Sequence, residues 1–474
     1  MAFSRQHLLQ IGCFMLCLSV YLSRLLADEA PTDIQVDTAI GGATAQDAAK
    51  ETPSAAGEQS NHKSPERKFG SSAPTHKQSA LININADGLA DASTQCFCLT
   101  SDGNLLAGCT GAANEIRVFD ADGQYAKSFK LDVSPEAINV APDGTILVAG
   151  EGKLLRLSSD GEMITEVDAP HADAIRERKD QIREEVIEQH KQQFQMLPQM
   201  LESYDAAIKE AEKQVDTLKS QENAQPQIDA LKETLKAYKD AKDHLKEQYG
   251  DQAGESTELT EEQIADRVKS SMQYKIKVAS ISSDGDAVFV ACGIPAGHGY
   301  EVWKLSPEFT DGKSIVSGLS GCCGQMDVQA NRDGVFVAEN SRKRVRRFDA
   351  EGKSICDWGK SSEGVGGFGS CCNPMNLAFG ADGAVYTAED TTGRIKRYSP
   401  DGKLLSVVGA ADVVPGCKKV SIGVDTTGDR VYMLDITKNN VAVLTRVSPD
   451  PTEPLNENDG GSFGGRLLRA IFGS

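Results

Sequence analysis

Three observations predict an all-β six-bladed β-propeller with an inserted α-helical antiparallel coiled-coil arm. Asp-Gly turns flanked by alternating apolar residues recur in pairs. The first turns of successive pairs lie 41 to 49 residues apart, as in positions 102 to 143, 284 to 333 and 333 to 382. One interval, 143 to 284, is stretched to 141 residues by charged, Gln-rich, helical sequence. Such periods match propeller blades, and Asp-Gly between alternating apolar runs is the strongest short-range hairpin signal.

Residues 1–27 read as a secretory signal. Arg5 and His7 precede an apolar run at 11–22, and Leu25-Leu26-Ala27 offers a cleavage site. The run is short for a bilayer span, so the membrane enters only through an uncleaved anchor flanked by Arg24. The expected location is periplasmic or extracellular. Loss of Cys13 and Cys17 with the signal would leave ten of the twelve cysteines, an even set that favours disulfides in an oxidising compartment. Residues 28–78, rich in Ala, Ser, Thr, Gly and Gln without apolar periodicity, read as a disordered linker, and 449–474 as a flexible tail.

Blades one and two, with a closing strand, are assigned to 79–170. Asp102-Gly103 pairs with Asp122-Gly123, and Asp143-Gly144 with Asp160-Gly161. Blades three to six are assigned to 274–448, marked by Asp284-Gly285 with Asp311-Gly312, Asp333-Gly334 with Glu351-Gly352, and Asp382-Gly383 with Asp401-Gly402. A sixth unit around Thr427-Gly428 shows three strands, at 420–424, 430–434 and 441–447. The alternating segment 81–85 is expected to supply the fourth and close the ring, which removes exposed sheet edges.

Residues 171–273 carry the arm. Leu197, Leu201, Tyr204, Ile208, Ala211, Val215 and Leu218 make one heptad seam. Ile228, Leu231, Leu235, Tyr238, Leu245 and Tyr249 make a second, interrupted by Lys242 and separated from the first by Pro226. Pro198 is expected to kink or break the entering helix. Thr260 and Gln263 form a capping box for a last helix ending near Met272. His171, His190 and His244 fall on this charged segment and are expected in solvent.

Two stretches carry a family likeness. Asn373-Pro374-Met375-Asn376-Leu377-Ala378-Phe379, continuing through Thr387-Ala388-Glu389-Asp390 to Arg394-Ile395-Lys396-Arg397-Tyr398, and the parallel run from Met326 to Phe348, resemble NHL repeats and gluconolactonase-like propellers. The resemblance implies a platform that is a pure binding module, a divalent-metal lactonase, or a metal-dependent lyase or monooxygenase. Fold alone does not choose among them. At the acidic position closing the second strand, Glu339 and Glu389 replace the usual Asp, Asp435 keeps it, and Cys109 and Cys292 stand in its place in two other blades.

The formal charge of −19 argues against a polyanion-binding surface, so nucleic acid is not an expected partner. No zinc-protease or phosphate-loop motif is present. The unusual motif is Cys-Cys-x-x-Met, at Cys322-Cys323-Gly324-Gln325-Met326 and Cys371-Cys372-Asn373-Pro374-Met375, each Met seven residues before an Asp-Gly; Cys417 repeats the second-cysteine position in blade six. In a propeller these loops share one face with Cys109, Cys292, Glu339, Glu389, Asp435 and His298. Two readings stay open for Cys109, Cys292, Cys322, Cys323, Cys371, Cys372 and Cys417: disulfides that brace blades, or a soft-metal or redox site suited to copper or zinc. Glu339, Glu389, Asp435 and His298 are candidate divalent-metal ligands. Met326 and Met375 on inner strands read as core, and Cys96, Cys98 and Cys356 are open between thiol and disulfide. The expected function is an exported binding or scaffolding protein with a protein or cell-envelope ligand and the arm as a second interaction element. The alternative is a metal-dependent lactonase-like or lyase-like enzyme, or a thiol/metal redox site, at the channel mouth.

Overall fold

The computed structural model describes residues 73–447 apart from 87, 222–223, 250–257, 323 and 371. The signal, most of the linker and tail, and Cys13, Cys17, Cys323 and Cys371 lie outside the described residues. Contacts divide the chain into two units, an all-β one and a helical one spanning 175–274.

The β unit is a six-bladed propeller: twenty-four strands in six antiparallel four-stranded sheets. Blade one is β2 (Ala92–Leu99), β3 (Leu105–Gly111), β4 (Glu115–Phe119) and β5 (Tyr125–Lys130); blade two is β6 (Ala137–Val140), β7 (Ile146–Gly150), β8 (Lys153–Leu157) and β9 (Met163–Asp168). Blade three comprises β10 (Val278–Ser283), β11 (Val288–Gly293), β12 (Tyr300–Leu305) and β13 (Lys313–Leu319). Blade four comprises β14 (Asp327–Asn331), β15 (Gly334–Glu339), β16 (Arg344–Phe348) and β17 (Ser354–Trp358). Blade five is β18 (Asn376–Phe379), β19 (Val385–Ala388), β20 (Arg394–Tyr398) and β21 (Leu404–Ala410). Blade six takes β22 (Ile422–Val424), β23 (Arg430–Asp435) and β24 (Asn440–Arg446) from one end of the chain and β1 (His76–Asn83) from the other.

Most of the Asp-Gly signals mark hairpins with a different turn from the one the dipeptide suggests. In the first, the Gly103 amide donates to the Thr100 carbonyl at 3.0 Å and the Thr100 amide to the Asn104 carbonyl at 2.9 Å. Of the loop residues only Gly103 has a left-handed φ, +82°. This is a three-residue loop ending in a glycine bulge rather than a two-residue turn with both positions left-handed. The same closure recurs at 120–124, 141–145 and 399–403.

Closure of the ring uses more of the N-terminal segment than expected. β1 starts at His76, inside the stretch read as linker, and pairs with β24 from His76↔Arg446 to Asn83↔Asn440. His76 is buried, hydrogen-bonded to the Thr75 hydroxyl at 2.8 Å and the Gly428 carbonyl at 2.9 Å. Lys77, Gln78 and Ser79 concealed this half of the strand because an outermost strand needs apolar residues only where it meets its neighbour.

The second departure is His171. It was expected in solvent, yet it is 1 % exposed and neither ring nitrogen completes a hydrogen bond. Burial pulls its pKa from 6.5 to about 4, opposed in part by the backbone of Lys275 to Lys277. The unfolded chain therefore binds this proton near pH 6.5 and the folded chain only near 4, so stability is lost as pH falls through that window, by up to about 3 kcal/mol. Urea midpoints measured at pH 7 and 4.5 are expected to diverge less in His171→Phe than in the parent; an unchanged difference would remove His171 as a cause.

The helical unit is built on α2 (Lys179–Leu218) and α3 (Gln225–Tyr249), preceded by α1 (Ala172–Glu177) and followed by α4 (Glu261–Ile276). α2 and α3 pack antiparallel. Phe194, Leu197, Met200 and Tyr204 meet Leu245 near one end, and Val215 and Leu218 meet Ile228 and Leu231 at the other. Lys242, the polar break in the second seam, pairs with Asp205 across the hairpin. α2 continues through Pro198, because Leu197 and Met200 on either side are held by the same apolar contact and outweigh the missing amide. Thr260 and Gln263 form the reciprocal capping box, at 2.9 and 3.2 Å, and α4 runs four residues past Met272. His190, expected in solvent, is buried edge-on against Phe194 at 4.6 Å.

Candidate functional site

In each blade the loop after the second strand and the loop leading into the first strand emerge at the same end of the propeller. The second strands end in Glu339 and Asp435 in blades four and six, and Glu389 directly follows β19 in blade five. All three side chains are buried, and burial of a carboxylate demands full compensation. Glu339 accepts the Ser320 amide at 3.1 Å and the Arg344 Nε at 2.6 Å, with Arg342 at 3.3 Å. Asp435 accepts the amides of Val414 at 2.8 Å and Thr437 at 3.0 Å. These contacts tie the strand end to the loop entering the same blade.

Glu389 sits in a larger cluster. Arg394 grips both its oxygens at 2.7 Å, and Lys396 Nζ lies 3.1 Å from Oε1. Both cations then reach the Gly-rich loop that precedes β18: Arg394 donates to the carbonyls of Glu363 at 3.2 Å and Gly364 at 3.5 Å, and Lys396 to those of Val365 at 3.3 Å and Gly367 at 2.5 Å. Lys396 also lies 4.1 Å over the Phe368 ring. Burial pulls the Lys396 ammonium down to about 8, with Glu389 opposing. Arg117 does the same in blade one, donating to the carbonyls of Ile84 at 2.9 Å and Ala90 at 2.6 Å while held by Glu115 at 2.7 Å.

The expected divalent-metal set is therefore not assembled. Glu339, Glu389 and Asp435 are each consumed in their own blade, and His298 stands exposed in its loop. Among the described residues, the group of His, Cys, Asp or Glu side chains that converges as a metal could require is Cys322, Cys372 and Cys417.

Those three cysteines come from the loops entering blades four, five and six, and their sulfurs all lie within 4.8 Å of one another. Cys372 and Cys417 stand as a disulfide across blades five and six, and Cys322 Sγ is 2.9 Å from Cys372 Sγ. Each loop has its own anchor. Asn340 Oδ1 accepts the Cys322 amide at 2.8 Å. Asn373, next to Cys372, accepts the Asp390 amide at 2.9 Å and donates to the Gly369 carbonyl at 3.0 Å. Lys418, next to Cys417, donates to the Thr437 hydroxyl at 2.6 Å. Met375, Val413 and Val420 pack around the sulfurs as core, and Asn340 Nδ2 reaches Met375 Sδ at 3.6 Å.

The other cysteines do not join them. Cys109 and Cys292 are free and fully buried, Cys109 among Phe97, Leu105 and Leu434, and Cys292 among Ala149, Leu154 and Val278. Burial pushes the Cys109 thiol up to about 12, so it holds its proton. Cys96, Cys98 and Cys356 are also free thiols. An even cysteine count thus overstates the disulfide content of the described residues.

The central channel encloses a cavity of about 340 Å³ lined by the six innermost strands. Its wall is braced by hydrogen bonds. Asp327 accepts the Ser280 hydroxyl at 2.6 Å, the Gln329 amide group at 3.2 Å and the Leu377 backbone amide at 2.7 Å, linking blades three, four and five. Asn139 reaches Gln329 Oε1 from blade two at 3.1 Å. None of Asp327, Arg117, Arg394, Lys396 and Asn340 is a candidate site residue in the sequence; Arg394 and Lys396 enter there only through the repeat likeness. The available signal was repetition: Arg344 and Arg346 in blade four stand at the positions of Arg394 and Lys396 in blade five.

No protein-family model matches the chain, and no curated protein matches it. Among solved structures it is similar to a streptogramin B lyase, at 12% identity and TM-score 0.39 over 77% of this chain and 97% of that one. It is similar also to virginiamycin B lyase from Staphylococcus aureus, at 12% identity and TM-score 0.38 over 77% and 87%, and to the Myceliophteria thermophila Cps50 (Swd1) β-propeller domain, at 8% identity and TM-score 0.36 over 78% and 99%.

Proposed function

We propose that this chain is an exported binding or scaffolding protein of the NHL-repeat, gluconolactonase-like type. Its ligand, a protein or cell-envelope component, would meet the propeller end that carries the cysteine loops, and the helical hairpin would be a separate second interaction element. The observation that carries the reading is the engagement of Glu339, Glu389 and Asp435 by arginines and backbone amides. Carboxylates so used stiffen a platform and leave no open coordination sphere for a divalent ion. The charge of −19 supports a partner other than nucleic acid, and the pattern of residues 1–27 supports export.

Pull-downs comparing the full chain with one in which 175–274 is replaced by a short Gly-Ser linker test this. The propeller is expected to stay folded and keep part of the partner set, losing the rest. An unchanged set would remove the hairpin's role. Metal-dependent lactone hydrolysis by the purified chain would overturn the binding reading.

A further inference from the structure

Cys372 and Cys417 repeat one position in blades five and six, Cys322 stands one residue earlier in blade four, and the ring geometry brings the three sulfurs to a single point. Three sulfurs bound to one ion at about 2.3 Å each stand roughly 4 Å apart. That separation lies inside the 4.8 Å envelope they occupy. Their anchors are the kind that hold metal ligands in place: Asn340 on the Cys322 amide, Asn373 fastening the Cys372 loop, and Lys418 on Thr437 beside Cys417. Among the described residues the group contains no His, Asp or Glu; Cys372 is buried in the core cluster of Met375, Val413 and Val420, and the partly buried Cys322 and Cys417 pack against it. An all-sulfur, apolar setting favours a soft ion content with three ligands over a hard ion or one that keeps water.

We propose that Cys322, Cys372 and Cys417, once the Cys372–Cys417 bond is reduced, form a three-thiolate site for a thiophilic cation, Cu(I) foremost. Opening the bond takes two electrons and two protons. A dithiol supplies them and becomes a disulfide, or in the assay a phosphine supplies the electrons and becomes its oxide with oxygen from water. The three thiols then release three protons as Cu(I) enters, and the metal changes no oxidation state. The disulfide form, with two sulfurs committed to each other, offers no such site. The inference is independent of which ligand the propeller face takes.

The test uses the full chain, reduced with a phosphine under anaerobic conditions and titrated with Cu(I) against a chromogenic Cu(I) chelator. One equivalent is expected to be retained, with a near-ultraviolet thiolate-to-copper band and an X-ray absorption spectrum showing sulfur neighbours only. Cys322→Ser, Cys372→Ser and Cys417→Ser are each expected to weaken retention more than tenfold, while Cys356→Ser leaves it unchanged. A chain carrying Cys323→Ser and Cys371→Ser together is still expected to hold one equivalent. Absence of retention by the reduced parent, a thiol count that does not rise by two on reduction of the folded chain, nitrogen or oxygen neighbours at copper, or loss of binding in the Cys323/Cys371 double variant would each overturn the assignment. The spectroscopy on the parent keeps the test decisive should a serine variant fail to fold.

Discussion

Deleting residues 73–83 is expected to abolish the cooperative thermal transition of the propeller, whereas a chain beginning at Ala73 is expected to melt with the parent. β1 is the outer strand of blade six and meets β24 at seven paired positions. At about 1 kcal/mol net per ladder hydrogen bond that is already several kcal/mol. Ile82, buried against Tyr432 and Val443, adds roughly 1.5–3 kcal/mol more. A typical domain has about 5–15 kcal/mol in total. The deletion also bares the edge of β24, where Val441 and Val443 would invite pairing with another chain. Calorimetry and light scattering on both truncations check this, and a peptide of residues 73–86 added in trans should restore part of the transition. A melt of the chain lacking residues 73–83 within about 5 °C of the parent would mean that ring closure contributes little.

The closing strand also shows what sequence could and could not carry. Its inner half, 81–85, alternates because Ile82 and Ile84 must face the blade core, and alternation is visible without knowing the partner. Its outer half, from His76, is polar and becomes a strand only because β24 offers a free edge. The Asp-Gly hairpins were legible for the opposite reason: the turn is satisfied locally, whatever the blade packs against. In the cysteine loops, the repeat placed Cys372 and Cys417 at one position in two blades, with Cys322 one residue earlier in the loop of blade four. It could not separate them from Cys109 and Cys292, which share the face yet point into apolar layers. Cys109 forms no disulfide although the paired strand β2 carries Cys96.

What stayed hidden was the use of buried cations to hold loop carbonyls. Arg117 and Arg394 occupy strand positions that alternation assigns to a face, but their acceptors lie 27 to 33 and 30 to 31 residues away in the chain. A glycine-rich loop such as 363–369 has few side chains with which to fix its own course. Its conformation is therefore set from outside, by donors that the loop's own sequence cannot reveal.

That dependence makes Glu389→Ala the most damaging single substitution expected in the propeller. Glu389, Arg394 and Lys396 are each at most 1 % exposed, and removing the carboxylate leaves two buried cations facing each other. Breaking a buried ion pair by deleting one partner costs about 3–5 kcal/mol, which for a domain of this size lowers the melting temperature by on the order of 10 °C. Lys396→Met should cost less, since Arg394 alone still spans both Glu389 oxygens. The triple replacement of Glu389, Arg394 and Lys396 by Leu, Met and Met should recover part of the melting temperature, because apolar groups of similar volume need no charge compensation. It should not recover the loop. Without Arg394 and Lys396 the carbonyls of Glu363, Val365 and Gly367 lose these donors, so limited proteolysis within 360–370 should accelerate in the triple variant even where the melt improves. Equal protease resistance in the triple variant and the parent would show that the cluster serves stability alone and that the loop leading to Cys372 is held by other means.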